Sequence, residues 1–381
     1  MDKKFVMGIA AMAALTLVSC SSDDLDSVSD NSSKNEAISF DGYLGRSAVA
    51  VNGSRGSELT KDALQKSTEG FGVFGKYTDG KTSDLNFFKN QPVTCPGTKW
   101  TYSPLKYWPT QGRIDFLAYA PYKEGQTLKE NTTTHENTTT FDFTVAKKAA
   151  DQIDLLWANA TGKITENFEG TTKEKVNFHF YHALSRLGYT VKLSGNYTSD
   201  NATFTLKKIT LAGSSTDATK GAFYETGTID LSKATKDPNL WSGQTGRQKF
   251  DWFSGDYQVK SSTASHPGSD IEKEKDYLFV IPQNFSENIG TVEQPVDNPD
   301  KLYVIVEYDV TYNGGTTIKN KVYKQLTTNF EQGKAYMLNL TIGLPIEFDI
   351  DVENVNSVEP WEEVNGVPGN IDSWDDINRE Q

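Results

Sequence analysis

Residues 336–352, YMLNLTIGLPIEFDIDV, decide how the chain is read. Tyr336, Leu338, Leu340, Ile342, Leu344, Ile346, Phe348, Ile350 and Val352 all occupy even positions. Side chains alternate between the two faces of a strand, whereas a helix repeats every three to four residues, so this period of two reads as β-structure. Pro345 has no N–H to give a ladder and divides the run into two strands. Tyr336–Leu344 reads as the last strand of a domain. Ile346, Phe348, Ile350 and Val352 then alternate with Glu347, Asp349, Asp351 and Glu353, an amphipathic strand arriving after a domain is already complete. Four large apolar groups on a free strand are a liability in water, and burying each contributes about 1.5–3 kcal/mol. This strand must dock, either on its own domain or by strand addition in a groove of another molecule.

The same period runs through the rest of the chain. Leu302, Val304, Val306, Tyr308 and Val310 share a face, Asn313-Gly314 supplies a hairpin turn, and Ile318–Tyr323 returns. Leu187, Tyr189, Val191 and Leu193 form another face, as do Ile114, Phe116 and Ala118, and Ile153, Leu155 and Trp157. Val176, Phe178, Phe180 and His182 alternate in even phase, and the phase flips between Leu184 and Leu187, which points to a bulge or a change of sheet. One short helix is predicted, over Leu59–Gln65, with Leu59, Ala63 and Leu64 on one face. Many strands without βα alternation mean an all-β chain of antiparallel β-sandwiches with few short helices. Residues 125–140 and 233–247 read as long surface loops. A composition shift near 160–175 places the boundary between two tandem domains, 37–175 and 176–345, followed by the segment 346–381.

The start of the chain reads as an address. Lys3 and Lys4 precede an apolar run, Phe5–Val18, that ends in Leu17-Val18-Ser19-Cys20. This pattern predicts a secretory leader over 1–19 with diacylation of Cys20. Removing the leader leaves 36 basic and 50 acidic residues, and acyl chains on Cys20 would hold the protein to a membrane. Residues 20–36 read as a flexible tether, and its acidic patch from Asp23 to Asp26 resembles an export tag for the cell surface. Ile38, Phe40 and Leu44 then alternate inward, and a Gly/Ser-rich stretch carrying Arg46 and Arg55 follows. An Arg in such a loop is a cut site for a trypsin-like protease. Cutting there frees the first strand and leaves a groove of unpaired backbone groups.

Bulk properties exclude several classes of function. The 381 residues carry a net charge of −13, which argues against nucleic-acid binding. Two cysteines, Cys20 and Cys95, cannot build a disulfide framework or a cysteine metal site. Gly70–Gly75 matches G-x-G-x-x-G, but it is itself strand-like with no helix after it, so a core strand is expected and no cofactor. His179 and His182 face opposite sides of a strand, and His182 reads as a hydrogen-bonded core residue, not a metal ligand. Neither a catalytic triad nor a recognisable carboxylate pairing emerges, so no catalytic residue is assigned, although a fold can bring two carboxylates together. Trp100, Trp108, Trp241 and Trp252 serve either core packing or sugar stacking.

The order and spacing of several motifs resemble the fimbrillin family of Gram-negative surface pili. They are Cys20, Ala37–Arg46, GFGVFGKY from Gly70, Tyr107-Trp108-Pro109, IDFLAYAPY from Ile114, DLLWA from Asp154, VNFHFYHALSRL from Val176, FVIPQ from Phe279, and Tyr336–Val352. The resemblance covers nearly the whole chain and implies two transthyretin-like sandwiches. It also implies lipoprotein export to the outer membrane, removal of the N-terminal strand by an Arg-specific protease, and polymerisation through a donated terminal strand. Carried onto this chain, Cys20 takes the lipid and Arg46, or else Arg55, is cut. Ile38, Phe40 and Leu44 belong to the displaced strand, and Ile346, Phe348, Ile350 and Val352 to the donor. The partners implied are other pilus subunits, the protease, the membrane, and surface glycans or proteins. The tail to Gln381, with Trp361 and Trp374, departs from a short stalk subunit and leaves tip, anchor and adaptor roles open. A non-polymerising surface lipoprotein that binds polysaccharide is the alternative.

Overall fold

The computed structural model describes residues 37–43, 59, 61–81, 83–134, 136–164, 175–197, 201–268, 276–285, 301–344 and 347–355. The chain divides into units 1–35 and 36–381, and every described residue belongs to the second. Among the described residues the elements are strands apart from one helix, α1 (Lys61–Lys66), and one 3-10 turn (Ala149–Asp151). The helix is the one expected, and Leu59, Ala63 and Leu64 are buried.

Strands are numbered in chain order. A five-stranded antiparallel sheet runs β3 (Ser83–Val93), β2 (Phe71–Thr78), β4 (Arg113–Ala120), β6 (Leu156–Ile164), β8 (Tyr181–His182). Both of its faces are covered. Phe71, Val73, Phe116, Ala118 and Ala158 point into a first core with Ile38, Phe40, Leu64, Phe88 and Phe178. The alternate residues Phe74, Leu117, Tyr119 and Trp157 point into a second core. A sheet buried on both sides reads as a continuous apolar run rather than an alternation, and β4 is buried from Phe116 to Ala120 without a break. The first core is closed by a two-stranded parallel sheet, β1 (Phe40–Tyr43) with β7 (Val176–His179).

Around the second core lie two four-stranded sheets. One runs β13 (Phe250–Val259), β10 (Ala202–Ala212), β16 (Leu302–Tyr312), β17 (Thr317–Leu326). The other runs β14 (Leu278–Val280), β9 (Ser185–Leu193), β19 (Ala335–Gly343), β20 (Glu347–Val355). Smaller sheets join β12 (Trp241–Thr245), β11 (Thr226–Asp230) and β5 (Thr140–Thr144), and β15 (Gln283–Asn284) with β18 (Asn329–Phe330).

Several expectations need correction. The sandwiches are not purely antiparallel, because β9 and β19 run parallel, as do β1 and β7. Long intervening stretches of chain make such crossovers feasible. Across the boundary expected at 175/176, β7 pairs with β1 and β8 with β6. From Ala183–Leu184 onward the core residues belong to the second core alone. The phase flip there is a change of sheet, from the partner of β6 to the partners of β14 and β19. The traffic also runs the other way: β5, from the first half, pairs with β11. The loop expected over 233–247 contains β12.

The crossing is held by buried polar groups with partners. His182 Nδ1 and Asp154 Oδ1 lie 2.8 Å apart with neither side chain exposed, and Leu59 N–H donates to Asp154 Oδ2 at 2.9 Å. Trp241 Nε1 donates to the Ala183 carbonyl at 2.8 Å, and Phe279 N–H to Gln152 Oε1 at 2.6 Å. Buried polar groups cost free energy unless paired in this way. Asp154→Ala removes the acceptor of Leu59 and the contact of His182, and is expected to cost about 1–3 kcal/mol for each group left unsatisfied. A urea titration checks this: the midpoint falls while the slope holds.

Candidate functional site

The terminal strands singled out in the sequence occupy two different seats. β1 is paired along one flank with β7, in parallel register from Phe40 opposite Val176 to Tyr43 opposite His179. Val176 N–H donates to the Ser39 carbonyl at 2.9 Å. Along the other flank lies the loop Tyr102–Tyr107. Ile38 N–H donates to the Lys106 carbonyl at 2.8 Å, the Tyr102 hydroxyl donates to the Ile38 carbonyl at 2.8 Å, and Ala37 bridges to Tyr107. Leu105 and Tyr107 on this loop are 55% and 52% exposed, so the flank is a thin wall facing solvent.

Alternation puts Ile38, Phe40 and Gly42 inward. Ile38 and Phe40 are 1% and 3% exposed. The Phe40 ring sits among four others: Phe88 at 5.4 Å, Tyr102 at 5.3 Å, Phe116 at 5.6 Å and Phe178 at 5.7 Å between centroids. Edge and tilted contacts of this kind add to the apolar burial. Gly42 lies against Phe71, Phe180 and Trp100, where an added Cβ would come within 3.3–3.5 Å of each.

β20 sits elsewhere, as an edge strand of the second core. It forms a nine-pair antiparallel ladder with β19, from Gly343 opposite Glu347 to Ala335 opposite Val355. Ile350 and Val352 are buried and Phe348 is half-buried. β19 ends at Gly343 and β20 begins at Glu347, bracketing Pro345. Asp349 points outward and pairs with Lys324 on β17 of the facing sheet. The hydrogen bond from Lys324 holds the Asp349 carboxyl below the usual carboxylate range. Glu353, expected to point outward, is 5% exposed. Cys20, Leu44, Arg46, Arg55 and Ile346 lie outside the described residues.

Other candidates resolve into packing. Gly70–Gly75 forms β2 and its approach, with Gly70 at φ +62 and its Cβ position only 2.0 Å from the Val93 carbonyl oxygen. Only glycine fits there. At Gly72 a Cβ would meet the Tyr119 ring at 2.4 Å. His179 is exposed and stacks on Tyr181, while His182 is buried. Trp108, Trp241 and Trp252 are at most 7% exposed, which removes them as sugar platforms. The Tyr102–Tyr107 wall and the β7 partner carry no alternation linking them to β1, so sequence reading does not find them.

Residues 59–361 match the Fimbrillin-like family. The chain belongs to that family. This fimbrillin-like chain is 26% identical to Fimbrium subunit Fim1C of Phocaeicola vulgatus over 404 aligned positions, covering 98% of each chain. Its fold is similar to that of a fimbrial protein from Bacteroides vulgatus ATCC 8482, with a TM-score of 0.57 and 20% identity, over 84% of this chain and 99% of that one. β20 falls inside the matched span and β1 precedes it.

Two outcomes follow from these seats. Phe40→Ala is expected to cost about 3–5 kcal/mol, read by denaturant titration, and to speed hydrogen exchange at the Val176 amide. The Asp349–Lys324 pair contributes fully above about pH 4, the ordinary Asp range, and its contribution is lost as pH falls through the lowered native pKa. Both side chains are exposed enough for that contribution to be small. In an NMR titration Asp349 should ionise below about 3.9, and Lys324→Gln should return it to that range.

Proposed function

We propose that this chain is a structural subunit of a cell-surface fimbria with a role in adhesion. It reaches the surface as an outer-membrane lipoprotein through Cys20. It is activated by an Arg-specific cut at Arg46 or Arg55, and is joined to its neighbours by donor-strand exchange. Its two cores then correspond to transthyretin-like sandwiches, and its partners are further subunits together with a surface glycan or protein receptor.

One observation carries this reading. Among the described residues β1 is flanked by a regular ladder on one side, yet it fills a deep aromatic pocket with Phe40. A strand seated in this way can be withdrawn past the loop Tyr102–Tyr107 without breaking the five-stranded sheet. Its departure uncovers the pockets of Ile38 and Phe40 and removes the partners of Val176 N–H and the Lys106 carbonyl. Such a groove is costly in water until another strand fills it. Membership of the fimbrillin-like family and the likeness to a fimbrium subunit support the same assignment.

Treatment of the purified chain with an Arg-specific protease tests it. The expected result is a discrete cut near Arg46 or Arg55, loss of the N-terminal fragment and a ladder of oligomers on native gels. Phe348→Ala should leave the cut intact and abolish the ladder. A lasting monomer that keeps its N-terminal fragment would overturn the proposal. Cys20→Ser should abolish incorporation of labelled fatty acid in cells.

A further inference from the structure

Ile38-Ser39-Phe40-Asp41-Gly42 and Ile346-Glu347-Phe348-Asp349-Ile350 share Ile, Phe and Asp at the same spacing and in the same order, a spacing found nowhere else in the chain. The first of these stretches leads into β1 and the second into β20. We propose that β20 of one copy takes the β1 seat of the next copy in the register of β1 itself, with Phe348 in the Phe40 pocket and Asp349 opposite Asn177. This assignment rests on the strand-exchange reading and adds to it the donor's direction, its register and the wall that must yield.

Direction follows from pairing. β1 runs parallel to β7, so an incoming strand that repeats its order of side chains must also run parallel to β7 to meet the pockets in sequence. Asp41 lies opposite Asn177, both on the outward face, and Asp349 inherits that position. The side chains favour the exchange as well. Phe348 is half-buried on its own edge, whereas the Phe40 seat is 3% exposed and walled by four rings. Completing the burial of an aromatic side chain is favourable in proportion to the area removed from water.

The two stretches differ at the third inward position, where Gly42 is replaced by Ile350. Phe71 and Phe180 around this position are fully buried, while Trp100 is only partly so and lies 3.5 Å from the Cβ site. Trp100 is therefore the wall that moves outward to admit Ile350. Ile38 and Phe40 fill two pockets and Gly42 leaves the third to bare backbone. By sequence the donor stretch offers Ile346, Phe348 and Ile350 at the same three positions, which biases the seat toward the donor once β1 is cut loose.

Disulfide trapping between two full-length chains, each carrying Cys20→Ser and Cys95→Ser, tests the register. The acceptor carries Asn177→Cys, and the donors carry Glu347→Cys, Asp349→Cys or Asp351→Cys. Adjacent strands place paired Cα atoms within disulfide reach, about 4.4–6.8 Å. After Arg-specific cleavage, mixing and mild oxidation, a covalent dimer is expected with Asp349→Cys and should be lost with the two offset donors. Oligomers that cross-link through Glu347→Cys or Asp351→Cys instead would overturn the register while leaving strand exchange intact. Failure of every mixture to form oligomers would overturn strand exchange itself, and the register with it. Trp100→Ala in the acceptor should raise the initial rate of cross-linking severalfold; an unchanged or lower rate would overturn its role as the yielding wall.

Discussion

The first core of this chain is closed by the occupant of the β1 seat. Its floor is a cluster of rings from β3, β4 and β7 together with Tyr102, and its sides are the edge of β7 and a short loop. The occupant contributes few hydrogen bonds but closes the first core, where Ile38 and Phe40 are buried. An empty seat would expose apolar surface and strand-edge groups together.

The second half is built on the opposite plan. β19 is flanked on both sides, by β9 and β20, and its residues are buried almost throughout. β20 is bound to it by a long ladder, and among the described residues no strand pairs with its outer side. One terminal strand thus plugs a pocket and the other trims an edge, although they share an Ile-x-Phe-Asp sequence.

Much of this was legible before any coordinates. The even-phase run 336–352 divides around Pro345 into β19 and β20, the run from Leu302 is β16 with its return β17, and the flip after Leu184 is a change of sheet. Alternation reports which face a side chain takes, and in these elements most of the large apolar residues keep one phase. It reports nothing about which strand lies next door, so the parallel partners of β1 and β19 stayed hidden. In β4 it groups Ile114, Phe116 and Ala118 correctly but does not show that the other face, with Leu117 and Tyr119, meets a second core. Nor does alternation show that β7 pairs back with β1. Of the site, Ile38, Phe40, Ile350 and Val352 were legible as inward residues, while the loop wall and the rings around Phe40 come from distant positions that only the fold assembles.

The two-faced sheet has a mechanical consequence. β2, β4 and β6 present one set of side chains to the first core and the alternate set to the second, and β5 stitches back into the second half through β11. Among the described residues, tension entering at one core therefore passes to the other through side chains rooted in the same strands, and it loads several hydrogen-bonded ladders together.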